Sequence, residues 1–124
     1  MSNMFRDVKE FQTAVGQNVG TEPEFPNQVE RELRKKLMAE EVQEYFEGEN
    51  NNDLENIAKE LADIIYIVCG TAVSYGIPLD RVFDEVHRSN MAKLVDGKPV
   101  RRDDGKILKP EGWTPPDIKK ILYP

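Results

Sequence analysis

Between Met4 and Val15 the positions Phe5, Val8, Phe11, Gln12 and Val15 recur at intervals of three and four, predicting a short first helix that opens at a Ser2 or Asn3 cap and stops near Gly16. The following stretch, GQNVGTEPEFPN, is rich in Gly, Pro and Asn and reads as a loop. From about Gln28 to Glu47 strong helix formers dominate, with Asn27 and Glu30 spaced as a capping-box variant and Gly48 as the stop. That second helix is about 30 Å long. ENNN then turns the chain, and Asp53 caps a third helix that runs to about Tyr75 and ends at Gly76. Pro78 suits the start of a fourth, in which Leu79, Val82, Phe83 and Val86 keep the helical period. Beyond Lys93 the pattern dissolves into two Asp-Gly turn signals among prolines, a loop or short hairpin, before a last helical turn in PDIKKIL.

Two groups of acids interrupt the apolar stripes. On a helical projection from Glu40, Leu33 falls at about 20°, Glu44 at about 40°, Leu37 at about 60° and Glu41 at about 100°, so the carboxylates continue the apolar face. On the third helix Ile57, Leu61, Ile64 and Val68 form a stripe with Glu60 on its border and Asp63 beside it. Like charges gathered there repel one another and lose hydration, at several kcal/mol per ion, and a compensating cation is the simplest repair. Oxygen donors alone select Mg²⁺, Mn²⁺ or Ca²⁺. Helical spacings of three and four set two oxygens on one face, about 5–6 Å apart at Cβ, close enough to share a metal. The plain alternative is a solvated acidic face, which is what EExxE by itself usually is; Glu30, Glu49 and Glu55, near helix ends, read as ordinary surface acids of that kind.

Composition narrows the setting. A chain of 124 residues fits one domain, 39% hydrophobic and 32% charged, and no apolar run approaches the roughly 20 residues that span a bilayer. The N-terminal stretch MSNMFRDVKEF has neither a basic nor an apolar signal region, so the expected location is the cytoplasm and no membrane partner is expected. A net charge of −6 argues against a nucleic-acid partner. Cys69, the sole cysteine, lies in the apolar run IIYIVCGTAV and reads as a buried thiol, with Tyr66 nearby as core. His87, the sole histidine, cannot supply the paired Glu-x-x-His units of a di-iron carboxylate bundle. Two long and two short helices make too thin a bundle to hide every stripe, so association is expected, and Gly70 offers a place for close helix approach.

The motifs together resemble a known group. EExxE at Glu40-Glu41-Val42-Gln43-Glu44 followed by ExxD at Glu60-Leu61-Ala62-Asp63 is similar to the signature of the all-α nucleotide pyrophosphohydrolases. These are the MazG-like proteins, a group that includes phosphoribosyl-ATP pyrophosphohydrolase and some dimeric dUTPases. HRSNMAK, His87 to Lys93, resembles their phosphate-binding Asn and Lys segment, and KPEGWTPPDI resembles the closing segment of short MazG-like proteins; the likeness covers about Gln28 to Ile118.

The resemblance implies a single all-α domain over 1–124, four-helix-bundle-like and MazG-type, helical over about 3–93 with an irregular tail over about 94–124, completed as a homodimer or homotetramer. It implies hydrolysis of a nucleoside triphosphate between the α and β phosphates to the monophosphate and pyrophosphate. Glu41, Glu44, Glu60 and Asp63 would ligate Mg²⁺, with Mn²⁺ a substitute, while Glu40 would orient or deprotonate the attacking water. Asn90 and Lys93, one helical turn apart, would meet phosphate; apart from the resemblance, Arg101 and Lys106 in the tail read either as cations that fold over a bound triphosphate or as solvated loop charges. Phe11, Gln12 and Gln17 would lie at the base, while Trp113, read from its ring alone, either stacks on the base or fills core. Family members often place a His beside the first-helix Phe, where this chain has Gln12. A dUTPase, a phosphoribosyl-ATP pyrophosphohydrolase and a non-catalytic helical adaptor are the alternatives on the same scaffold.

Overall fold

The computed structural model describes residues 3–124 and is all-α apart from one small hairpin: α1 (Met4–Ala14), α2 (Gln28–Asn50), α3 (Leu54–Tyr75), α4 (Leu79–Met91), β1 (Leu94–Val95), β2 (Lys98–Pro99) and α5 (Ile118–Leu122). Contacts divide the chain into two compact units, one up to Leu79 and one from Asp80 to Pro124. No single helix among the described residues is long and apolar enough to cross a membrane.

In the first unit each helix starts on a side-chain cap. Asn3, Asn27 and Asp53 accept from the backbone N–H groups of Arg6, Glu30 and Asn56, satisfying donors that a helix start leaves free. The alternative Ser2 cap lies outside the described residues. At the far end of α3, Gly76 adopts φ +69°, and the N–H groups of Gly76 and Ile77 close onto the carbonyls of Val73 and Ala72, the paired bonds of a Schellman stop.

The expected stop at Gly48 is corrected. Helix α2 runs through it to Asn50 and is capped by Asn51. Gly48 is buried, and a Cβ there would lie 3.1 Å from both Asn56 Nδ2 and Ile57 Cγ1, so the residue serves the approach of α3 rather than a left-handed turn.

Helices α2 and α3 pack antiparallel, and named pairs fix their register: Gly48 against Asn56 and Ile57, Glu44 against Glu60, Arg34 against Gly70 and Glu30 against Ser74. Helix α1 lies on α3, contributing Val8 to a small core completed by Cys69, Ala72 and Val73. The buried thiol reading of Cys69 holds, and burial pushes its pKa up. Tyr66 is not core: it is 42% exposed and meets Phe11 edge to face at 5.9 Å. Leu33, Phe46, Leu61, Ile65 and Val68 also stay exposed on α2 and α3.

In the second unit, β1 and β2 pair around Asp96 and Gly97, both at positive φ, as a type I′ hairpin requires. The second Asp-Gly signal also forms a turn, with Gly105 at φ +90° inside the Arg101–Ile107 bridge. The tail returns along α4: Trp113 Nε1 donates to the Ser89 carbonyl at 2.6 Å, and the Asp117 N–H donates to Glu85 Oε2 at 2.6 Å. Glu85 also binds Arg88 through two hydrogen bonds, and the Arg88 pair with the Asp117 N–H holds its carboxyl at about 2.

Candidate metal centre and adjoining cavity

The α2–α3 register carries the two acidic motifs to one level. Glu41, Glu60 and Asp63 each offer an oxygen within 4.8 Å of the others, and Glu60 is 3% exposed. Two of the oxygens, Glu41 Oε2 and Glu60 Oε2, are buried and accept from no N–H or O–H group of the other described residues. Carboxylates so close bond one another only if one keeps a proton, and the titration follows that division. Glu41 is pushed up to about 7, first by its hydrogen bond with Glu60, then by burial and the charges of Glu44 and Asp63. Glu60 is lowered, first by the same bond with Glu41, against the opposing effect of burial and with help from Glu44 and Lys59. Glu44 joins the group and is raised, chiefly through its hydrogen bond with Glu60.

Lys59 is the cation that the sequence reading overlooked. Its ammonium donates to Asp63 Oδ2 at 2.8 Å and to Glu60 Oε1 at 3.2 Å. The signal was present, since Lys59 precedes Glu60 directly and sits four residues before Asp63. It is largely exposed and leaves both orphaned oxygens unpartnered. Convergent oxygen donors, two of them buried and unsatisfied, fit a hard divalent cation. Glu40, next to Glu41, is exposed on α2 and outside this group.

One turn from the acids toward the start of α2, a cavity of about 250 Å³ opens between α1, α2 and α3. Phe11, Gln12 and Gln17 all line it, with Leu37 and Tyr66. Gln12 is less free than expected: it is 2% exposed, and its amide donates to the carbonyls of Asn18, at 2.6 Å, and Gly70, at 3.3 Å. Its donors therefore hold α1 and the following loop to α3. Behind it runs a network that sequence reading missed. Asn18 Nδ2 donates to Ser74 Oγ at 2.8 Å, Ser74 Oγ donates to Glu30 Oε1 at 2.9 Å, and Arg34 Nε donates to the same oxygen at 2.8 Å. Glu30 is thus a partner in a part-buried ion pair and not an ordinary surface acid. Its i,i+4 spacing to Arg34 was the available sign, but that spacing is common on exposed helices.

The other expected site residues lie in the second unit. Lys93 Nζ donates to Asn90 Oδ1 at 3.0 Å. Arg101 donates to the Gly105 carbonyl at 2.7 Å, and Lys106 is exposed. Trp113 is engaged by its own unit, its N–H on Ser89 and its ring 4.8 Å from Lys109 Nζ and 5.7 Å from Lys93 Nζ.

A helical scaffold that sets an EExxE motif on one long helix against an ExxD motif on the next belongs to the MazG-like class of NTP pyrophosphohydrolases. Residues 8–90, about two thirds of the chain, match the family model described as phosphoribosyl-ATP pyrophosphohydrolase. The chain belongs to that family, and its activity class is that of a pyrophosphohydrolase. Among curated proteins none matches it.

Proposed function

We propose that the chain hydrolyses a nucleoside triphosphate between the α and β phosphates, releasing the monophosphate and pyrophosphate, with Mg²⁺ or Mn²⁺ held by Glu41, Glu44, Glu60 and Asp63. The observation that carries this reading is the pair of buried, unpartnered oxygens on Glu41 and Glu60 within a convergent acidic group. A divalent ion there supplies charge neutralisation at the phosphate oxygens and lowers the pKa of a bound water. Glu60, held ionised, is the fixed ligand, while Glu41 must lose its proton before it can bind. Glu40, exposed beside Glu41, orients the attacking water or accepts its proton. Within the second unit, Asn90 and Lys93 set an amide and a charge one turn apart, a pair suited to phosphate, and Arg101 and Lys106 are further cations of that unit. Phe11 and Gln17 line the place for the base, against Tyr66.

The family match favours a second reading on the same scaffold, in which phosphoribosyl-ATP is the substrate. The deciding experiment incubates the protein with the common ribo- and deoxyribonucleoside triphosphates, dUTP and phosphoribosyl-ATP, with and without Mg²⁺, and identifies the products. Pyrophosphate from a nucleoside triphosphate only when Mg²⁺ is present supports the first reading; turnover of phosphoribosyl-ATP alone supports the second. No release from any of them leaves a non-catalytic adaptor.

A homodimer, or a tetramer of paired dimers, accompanies the proposal, since exposed Leu33, Phe46, Leu61 and Val68 leave much of the α2–α3 apolar surface to be covered. Light scattering that gives a monomer at micromolar concentration counts against it. The proposed setting is the cytoplasm, where nucleotides and Mg²⁺ are both abundant.

A further inference from the structure

The buried ion pair at the back of the cavity leaves a charge only partly spent. Arg34 is 6% exposed, and among the described residues only one of its five N–H donors, Nε–H, has a partner, Glu30 Oε1. The four on Nη1 and Nη2 have no acceptor among the side chains and carbonyls that bond this network. Neither nitrogen is among the fully enclosed unpartnered atoms, which are Glu41 Oε2 and Glu60 Oε2, so an entering acceptor can reach both. Space for the guanidinium is made by Gly70, where a Cβ would fall 2.8 Å from Arg34 Nη1. Arg34 lines the cavity that Phe11, Gln17 and Tyr66 also line.

The charge balance says what the fork can receive. Glu30 neutralises Arg34 at 2.8 Å, so a phosphate gains little from the pair as a whole, whereas a neutral group with acceptors gains hydrogen bonds at no cost in net charge. With Nε engaged, the free edge is the Nη1–Nη2 end, which suits two neighbouring acceptors. Guanine presents O6 beside N7, and cytosine presents O2 beside N3. Adenine sets an amino donor next to N7, and thymine and uracil put N3–H between their carbonyls.

We propose that Arg34, poised by Glu30 and admitted by Gly70, determines base specificity, so that the cavity takes guanine and cytosine nucleotides in preference to those of adenine, thymine and uracil. This rests on the nucleotide reading above, and it assigns Arg34 contact with the base rather than with the reacting phosphates. Arg34 lies seven residues before Glu41 on α2, about 10 Å along the helix, a separation that the sugar of a nucleotide can bridge.

Calorimetric titration of the full chain with dGMP, dCMP, dAMP and dTMP in Mg²⁺ tests it without requiring turnover. Wild type should bind dGMP and dCMP at least about tenfold more tightly than the other two, the discrimination expected of a two-point contact. Arg34→Lys, which keeps the charge and loses the fork, should narrow that gap to about threefold or less. The Glu30→Gln/Arg34→Met pair, which removes both charges together, should erase it, with melting curves to confirm that each variant folds. Equal affinities in wild type, no binding at all, a preference for dAMP or dTMP, or a gap that survives in the folded variants overturns the proposal. Equal pyrophosphate release from every base would leave hydrolysis standing and sink the role of Arg34. Selective binding without pyrophosphate release would do the reverse.

Discussion

Replacing Glu41 by Gln should stabilise the protein without metal and destabilise it with metal, a reversal that a merely structural glutamate does not give. Glu41 sits at about 7 in the folded chain against an ordinary value of 4.5. A group raised on folding contributes stability that is complete below the lower value and is lost as pH climbs through the upper one. The window is therefore pH 4.5 to about 7, and Glu44, also raised, acts in the same direction. One proton bound only by the folded state gives a slope of at most about 1.4 kcal/mol per pH unit. Partial exposure of Glu41 and the nearby Lys59 ammonium reduce this, and we expect a loss of about 1–2 kcal/mol, or about 4–8 °C in Tm, between pH 5 and 8.

Melting curves over that range, in chelator and then in millimolar Mg²⁺, supply the test. In chelator the wild-type Tm should fall with rising pH, whereas Glu41→Gln should run flatter and melt higher at pH 8. With Mg²⁺, wild type should recover through mass action on the folded state, and the variant should recover less. A wild-type Tm that rises from pH 5 to 8 in chelator, or a variant that melts lower than wild type under both conditions, refutes the assignment.

Lys59→Met removes the resident counter-ion of Asp63 and Glu60; Mn²⁺ should bind severalfold more tightly by calorimetry, and weaker binding would show that Lys59 helps to build the site. Gly70→Ala gains about 1 kcal/mol in helix propensity but drives a methyl to within 2.8 Å of Arg34 Nη1 and 2.9 Å of Gln12 Oε1. Both side chains are pinned, so overpacking of about 1–3 kcal/mol should win, and urea unfolding should show a net loss; a gain would mean that the cavity yields freely. Glu85, held at about 2 by Arg88 and the Asp117 N–H, contributes stability that is present above pH 4.5 and lost as pH falls toward 2. Glu85→Gln should flatten the acid limb of the stability curve, and an unchanged limb would place the acid sensitivity elsewhere.

Much of the fold could be read from local chemistry, because the signals were short-range. Asn3, Asn27, Asp53 and Gly76 mark helix ends by side-chain oxygens or by a positive φ, and each does so in the structure. Gly48 misled because a glycine that stops a helix and a glycine that lets another helix close in leave the same letter in the sequence. The convergence of Glu41, Glu60 and Asp63 was legible through the helical phase of the two motifs and needed only that α2 and α3 be neighbours. Glu30, Arg34 and Ser74 were not legible: their significance comes from a contact across 44 residues of chain, between Ser74 Oγ and Glu30. Lys59 was hidden by its ordinariness, one more lysine on a charged helix. Tyr66, taken for core, is exposed because the unit is thin, and apolar character alone does not tell a residue facing the interior from one facing a cavity or a partner.

The antiparallel register of α2 and α3 explains how one pair of helices can hold separate chemistries without mixing them. Gly48 closes the pair at one end against Asn56 and Ile57, the acids follow at Glu41, Glu44, Glu60 and Asp63, and Arg34 lies over Gly70 beyond them, before Glu30 meets Ser74. Each step is one or more helical turns, so groups that must stay apart, a set of anions and a guanidinium, are held apart by the rise of the helix rather than by loops. A residue inserted in α2 between Arg34 and Glu41 would rotate one set by about 100° relative to the other. It would leave composition, charge and helix propensity almost unchanged, yet either the acids or the arginine would turn away from α3. The function proposed for this chain therefore depends on the phase between its motifs as much as on the residues within them.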